Sequence, residues 1–414
     1  MTPAGMTGAG MTRDEARALD AHDPLAPLRD RFALPAGVIY LDGNSLGPLP
    51  RATVPAMTDM VTQAWGDRLI RSWNEGWIDA PVRLGGKIAP LIGAAADEVI
   101  VGDSTSANLF KALVAALRVD PGRRVVLSEA GNFPTDLHVA EGAVACVPGA
   151  SLRVVPRGDI AAAIDGDVAV LLLTHVHYKT GSRFDMAAMT AAAHRAGALV
   201  LWDLSHSVGA VAVDLSGAGA DLAVGCTYKY VNGGPGAPAF LYVATRWQDR
   251  LASPLSGWMG HAEPFAFADA YAPAPGMKRW LAGTPPMLAM AALEAGLDLW
   301  ATVDRDAVWA KSAALWRIMA AAGDAAGLDC VTPADPAARG SHISFRHPHA
   351  HGIAQALIER GVIGDFRDPD ILRLGLTPLY LSHDDVWRAG AILGGIMASG
   401  DWRAPRFATR LAVT

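Results

Sequence analysis

Between about residues 95 and 245 the chain alternates short, fully apolar runs with Ala-rich stretches that carry polar residues at helical spacing. The runs at 124–129, 151–156, 168–176 and 198–204 read as strands, 168–176 as an apolar one of the kind covered on both faces, and 221–227 and 239–243 complete the series. The intervening segments 109–117, 137–142, 160–164 and 186–196 read as helices, the last stopped by Gly197. Such alternation predicts an α/β fold built on a mostly parallel, buried sheet.

Beyond residue 300 the pattern changes. A long helix over 307–322 is followed by a strand at 341–345, a helix at 352–360 stopped by Gly361, a strand at 371–377 and a helix at 383–397. The expected organisation is therefore a Pro- and Gly-rich N-terminal arm (1–55), a large domain (56–300) and a smaller α+β C-terminal domain (301–414). The 414 residues suffice for that arrangement.

Composition narrows the function classes. With 51% hydrophobic and 18% charged residues, disorder and a coiled coil are excluded. The net charge of −6 lacks the basic footprint of a nucleic-acid binder. Cys146, Cys226 and Cys330 are too few and too scattered for a disulfide framework or a Cys-rich metal knot, so no metal site is expected. No apolar run approaches the roughly 20 residues of a membrane span, and the N-terminus lacks the apolar core of a secretory signal. The expectation is a cytoplasmic enzyme with neither membrane nor nucleic acid as partner. Met1, Met6 and Met11 all suit a start codon.

Candidate chemistry concentrates at strand ends, where open parallel sheets bind their ligands. Of 35 basic residues only six are lysines, at 87, 111, 179, 229, 278 and 311. A chain that prefers Arg yet keeps Lys229 between an apolar strand and a Gly-rich turn invites an amine function, since Lys alone forms a Schiff base. Asp203 closes the preceding strand and suits a protonated pyridine nitrogen, although it equally suits a helix N-cap. Ser104–Ser106 opens a helix, where unpaired backbone N–H groups and the dipole favour a phosphate. Together the three describe a pyridoxal phosphate site, without naming a substrate.

Several stretches are more specific: 40–47 (YLDGNSLG), 132–136 (NFPTD), 202–209 (WDLSHSVG), 226–236 (CTYKYVNGGPG), 283–286 (GTPP) and 373–380 (RLGLTPLY). In this order, across nearly the whole chain, they resemble the kynureninase family, a branch of the fold type I, aspartate-aminotransferase-like enzymes. The resemblance implies a PLP-dependent transferase-like large domain and pyridoxal 5'-phosphate as cofactor. It implies hydrolysis of L-kynurenine to anthranilate and L-alanine, a Cβ–Cγ cleavage of tryptophan catabolism and of NAD biosynthesis. Lys229 would be the Schiff-base lysine and Asp203 the partner of the pyridine nitrogen. Thr105 and Ser106 would hold the phosphate, and Tyr228 would add its hydroxyl and serve as a candidate proton donor. Phe133 would stack on the cofactor ring, with Asp136, Thr174 and His206 completing the polar shell. Trp258 and Thr284 would reach the cofactor phosphate of a neighbouring subunit, implying a homodimer with shared active sites. Arg373 would clamp the substrate α-carboxylate, with Ser45 and Trp73 beside the substrate.

Where relatives that favour 3-hydroxykynurenine carry His and Asn, this chain has Trp73 and Thr284, which implies a preference for unsubstituted kynurenine; Trp73 equally suits core packing. His347, His349 and His351 alternate in a Pro-containing loop without Cys or acid nearby, which favours a solvated loop over a metal site. The rival functions are another enzyme of the same fold, an aminotransferase or a cysteine-desulfurase-like protein, and an inactive ligand-binding relative.

Overall fold

The computed structural model describes residues 11–410; Met1 and Met6 lie outside the described residues. The chain forms two compact units, one of Leu49–Tyr178 with Arg183–Thr302, the other of Met1–Pro48, Lys179–Ser182 and Val303–Thr414.

The first of these units holds a seven-stranded sheet with the spatial order Val99–Val101, Phe240–Val243, Leu222–Gly225, Leu199–Asp203, Val168–Thr174, Val125–Glu129 and Ser151–Val155. The two pairings made by Phe240–Val243 are antiparallel and the other four are parallel. Every residue of Val168–Thr174 and Leu199–Asp203 is buried, which is why those runs show no polar alternation. Helices cover the sheet. Thr105–Leu117 inserts Leu109, Leu113 and Leu117, one turn apart and fully buried, each contributing about 1.5–3 kcal/mol. Met186–Ala196 begins at the Asp185 cap, whose carboxylate accepts from Ala188 N–H, and ends at Gly197 in the left-handed region, φ +82°. Pro134–Ala145 extends beyond the expected 137–142 because Pro134 occupies the first turn, where its missing N–H costs nothing.

The second unit has a four-stranded antiparallel sheet in the order Asp365–Arg367, Ile371–Gly375, His342–Arg346 and Asp329–Cys330. A separate parallel pair joins Ile39–Tyr40 to Val362–Ile363. Its helices include Arg13–Ala21, Arg305–Ala325, Ala350–Glu359 and His383–Ser399. Of the arm expected over 1–55, residues 12–48 are fastened to this unit and residues 49–55 belong to the first. A capping box between Thr12 and Glu15 starts the first helix. Arg13 pairs with Asp384 at 2.7 Å, and Asp20 accepts from the backbone N–H groups of His383 and Asp384. The Asp20 carboxylate thus stabilises the N-terminus of His383–Ser399.

Candidate active site

Thr174 and Asp203 end neighbouring strands of the seven-stranded sheet, and Asp136 lies in the first turn of the helix Pro134–Ala145. Thr174 and Asp203 are register partners, the last residues of adjacent parallel strands. Asp203 is buried, and its Oδ1 accepts from Ser205 N–H at 2.7 Å. The Thr174 hydroxyl lies 2.5 Å from Asn132 Oδ1 and 3.2 Å from Asp136 Oδ2. Asn132 in turn donates to Ser128 Oγ at 3.3 Å, and its Oδ1 accepts from Phe133 N–H at 2.7 Å. Asp136 shares a hydrogen bond with Asp203, and its carboxyl is held well above the usual range by burial and by the Asp203 charge.

Lys229 follows the strand Leu222–Gly225, and its Nζ lies 2.9 Å from His206 Nε2. Its positive charge acts on Asp136 and on Cys226, so amine and acids share one electrostatic environment. The turn after Lys229 is fixed by Gly233 N–H donating to the Thr227 carbonyl and by Asn232 at φ +61°. Tyr228 is half-buried beside Cys226; the Cys226 thiol and burial push its hydroxyl up, so it keeps its proton.

Thr105 and Ser106 form the first turn of Thr105–Leu117, behind the Ser104 cap, whose Oγ accepts from Ala107 N–H at 3.2 Å. Their own N–H groups are among those a helix leaves unpaired, and the dipole adds positive potential. Just upstream, Asp103 sits in the left-handed region at φ +52° and pairs with Lys111 at 2.7 Å. The Lys111 ammonium is buried and also donates to the Trp280 carbonyl at 2.7 Å.

Phe133 is partly exposed, and the edge of Tyr178 meets it with ring centroids 5.2 Å apart. Trp73 and Trp258 form a different group in this unit, with centroids 6.4 Å apart. Thr284 is exposed, and its segment joins Trp258 through the Met259 N–H bond to the Ala282 carbonyl at 3.2 Å.

In the other unit, Arg373 and Ser45 come together. The Arg373 guanidinium donates to both carboxylate oxygens of Asp365, through Nε at 2.9 Å and through Nη2, and to Ser45 Oγ at 2.8 Å. Ser45 Oγ donates to Asp365 Oδ2 at 2.9 Å, and Arg367 Nη2 reaches the same oxygen at 2.7 Å. Beside them the Asp42 carboxyl is pushed up to about 7 by burial and by Asp365.

Sequence reasoning gave no role to Asn132, Asp365, Arg367 or Asp42. Asn132 and Asp42 lie inside quoted motifs and were open to discovery; Asp365 and Arg367 carry no local signal. The three histidines behave as packing groups: His347 and His349 lie against Trp402, with centroids 5.1 and 4.7 Å from its ring, and His351, in the first turn of Ala350–Glu359, meets Phe366 at 5.5 Å.

Residues 308–393 match the kynureninase C-terminal domain family. A kynureninase of Deinococcus radiodurans is 54% identical over 390 residues, covering 92% of this chain and 95% of the relative. A kynureninase of Burkholderia mallei is 53% identical over 414 residues, covering 97% and 100%. Among solved structures, a cysteine desulfurase of Thermococcus onnurineus superposes with a TM-score of 0.79 at 18% identity, covering 90% of this chain and 98% of that one. That likeness shows the fold alone.

Proposed function

Because the chain belongs to the kynureninase family, we propose that it hydrolyses L-kynurenine, with water, to anthranilate and L-alanine, using pyridoxal 5'-phosphate. The observation that carries this reading is the shared electrostatic environment of the Lys229 amine and the buried pair Asp136–Asp203, in the unit that also holds the start of Thr105–Leu117. The residues fit the cofactor. A paired, buried carboxyl group with one retained proton suits a ring N–H cation, and the helix start suits a phosphate dianion.

When bound, the cofactor supplies an aldehyde carbon that takes up an amine and a protonated ring that draws electron density from the substrate. The chain's own residues do the rest. Lys229 would hold the cofactor through its amine and would serve as the base for the proton at the substrate Cα. His206 orients the Lys229 amine, and Asp203 holds the proton on the ring nitrogen. Asp136, Thr174 and Asn132 keep Asp203 in place. Thr105 and Ser106 bind the phosphate, and Phe133 stacks on the ring. Tyr228, kept protonated, donates to Cβ as alanine forms. Arg373 binds the α-carboxylate, for which its planar fork is suited.

The protein acts as a homodimer in which Trp258 and Thr284 serve the partner's cofactor phosphate. Ring contacts link Trp73, Trp258, Phe265 and Phe267, and Phe267 is 80% exposed, which supports an interface on this unit. A cytoplasmic location agrees with the helices, none of which, among the described residues, is long and apolar enough to cross a membrane.

Purified protein given pyridoxal phosphate should turn yellow, lose the colour with borohydride and carry the reduced label on Lys229. Anthranilate fluorescence should then appear on adding L-kynurenine. Colour without fluorescence would leave the family standing and refute the reaction.

A further inference from the structure

The Arg373 cluster has more structure than a substrate clamp alone requires. Arg373 and Asp365 face each other across paired antiparallel strands, and their side chains are 1% and 2% exposed. The bond from Nε and the bond from Nη2 occupy both Asp365 oxygens, so one edge of the planar guanidinium is locked and the Nη1 side is aimed away from Asp365. Ser45 closes the arrangement. Its hydroxyl donates its one proton to Asp365 Oδ2 and accepts from Nη2 of Arg373 at 2.8 Å and from Nη2 of Arg367 at 3.2 Å. A hydroxyl with its proton given and two donors aimed at its lone pairs has no capacity left for a ligand.

We infer that Asp365 and Ser45 are positioning residues, which hold Arg373 in the orientation that receives the substrate α-carboxylate, and that Ser45 does not itself bind substrate. The inference rests on the proposed role of Arg373. Asp365 serves Arg373 and Arg367 together, so two guanidiniums share one buried carboxylate. A locked guanidinium also spares the substrate the cost of ordering a long side chain.

The test uses holoenzyme carrying Asp365→Asn, Ser45→Ala or Arg373→Gln. Three quantities are measured: kcat and KM for L-kynurenine, and the inhibition constant of its decarboxylated analogue, which keeps the aryl ketone and the amine. Asp365→Asn should raise KM by at least about tenfold, as for a buried ion pair broken on one side, while leaving kcat and the analogue's inhibition constant within about twofold. Ser45→Ala should raise KM by roughly two- to fivefold with the same selectivity. Equal weakening of both ligands, or of neither, overturns the inference. Should Asp365→Asn fail to fold by circular dichroism, Ser45→Ala decides alone, because a serine touching substrate would weaken the analogue as well. If Arg373→Gln raises KM and the other two do not, the clamp stands and the positioning role falls. If Arg373→Gln also leaves KM unchanged, the reading of Arg373 itself fails.

Discussion

The carboxyl group of Asp136, in the first turn of the helix Pro134–Ala145, shares a buried hydrogen bond with that of Asp203 at the end of the strand Leu199–Asp203, and Asp136 keeps its proton well above the usual carboxylate range. A raised native pKa means that protonation stabilises the fold. The contribution is complete below the ordinary carboxylate value and is lost as pH rises through the raised one. Urea unfolding of the cofactor-free protein should therefore show stability falling as pH rises above about 4. Asp136→Asn should flatten that dependence. An unchanged slope in the variant would contradict the shared proton.

Asp42 makes the same kind of prediction with a defined window. Its carboxyl, pushed up to about 7, faces Asp365, Arg373, Arg367 and Ser45. Between pH 5 and 8 this one group should remove roughly 2–3 kcal/mol of stability, and Asp42→Asn should remove the effect. The same titration adds a negative charge beside Arg373. KM for L-kynurenine should thus rise above pH 7 in the wild type and stay level in Asp42→Asn.

Lys111 holds the loop ahead of the phosphate-binding helix start by pairing with Asp103 and with the Trp280 carbonyl. Lys111→Met keeps the apolar stem and removes both bonds, costing about 1–3 kcal/mol of stability. Pyridoxal phosphate should bind roughly fivefold or more weakly, read by equilibrium dialysis, whereas pyridoxal without its phosphate should bind as before. An equal loss for both would assign Lys111 to the fold alone.

Substrate choice gives a fourth expectation. The Trp73 indole donates a hydrogen bond but accepts none, so it recognises a ring hydroxyl poorly. Its ring is engaged edge-on with Trp77 and Trp258, at 5.6 and 6.4 Å. We expect kcat/KM for kynurenine to exceed that for 3-hydroxykynurenine; the reverse order would exclude the roles given to Trp73 and Thr284.

Much of this was legible before any coordinates. Helix Met186–Ala196 carries its own start and stop in Asp185 and Gly197, and the central strands are apolar up to their last residues, Thr174 and Asp203, so local chemistry settles them. Lys229 stood out because lysine is scarce and this one follows a buried strand. The strand Val99–Val101 was not anticipated, because three residues pairing at a sheet edge leave no period to read. Residues 1–55 read as an arm from their Pro and Gly content, yet within them Thr12 and Glu15 spell a capping box that marks the helix Arg13–Ala21. Asp365 was illegible for a different reason. Its meaning lies in a cross-strand register with Arg373 and in a serine 320 positions away, and neither is a local property of the chain.

The parallel pair Ile39–Tyr40 with Val362–Ile363 has a consequence for biogenesis. The segment that supplies Asp42 and Ser45 leaves the ribosome first, and its partners emerge more than 300 residues later. At about 5–20 residues per second, that beginning waits some tens of seconds for its counterpart. A nonsense codon between positions 303 and 361 would yield a protein that still holds every strand of the sheet Val99–Val243, while the strand Ile39–Tyr40 has nothing to join.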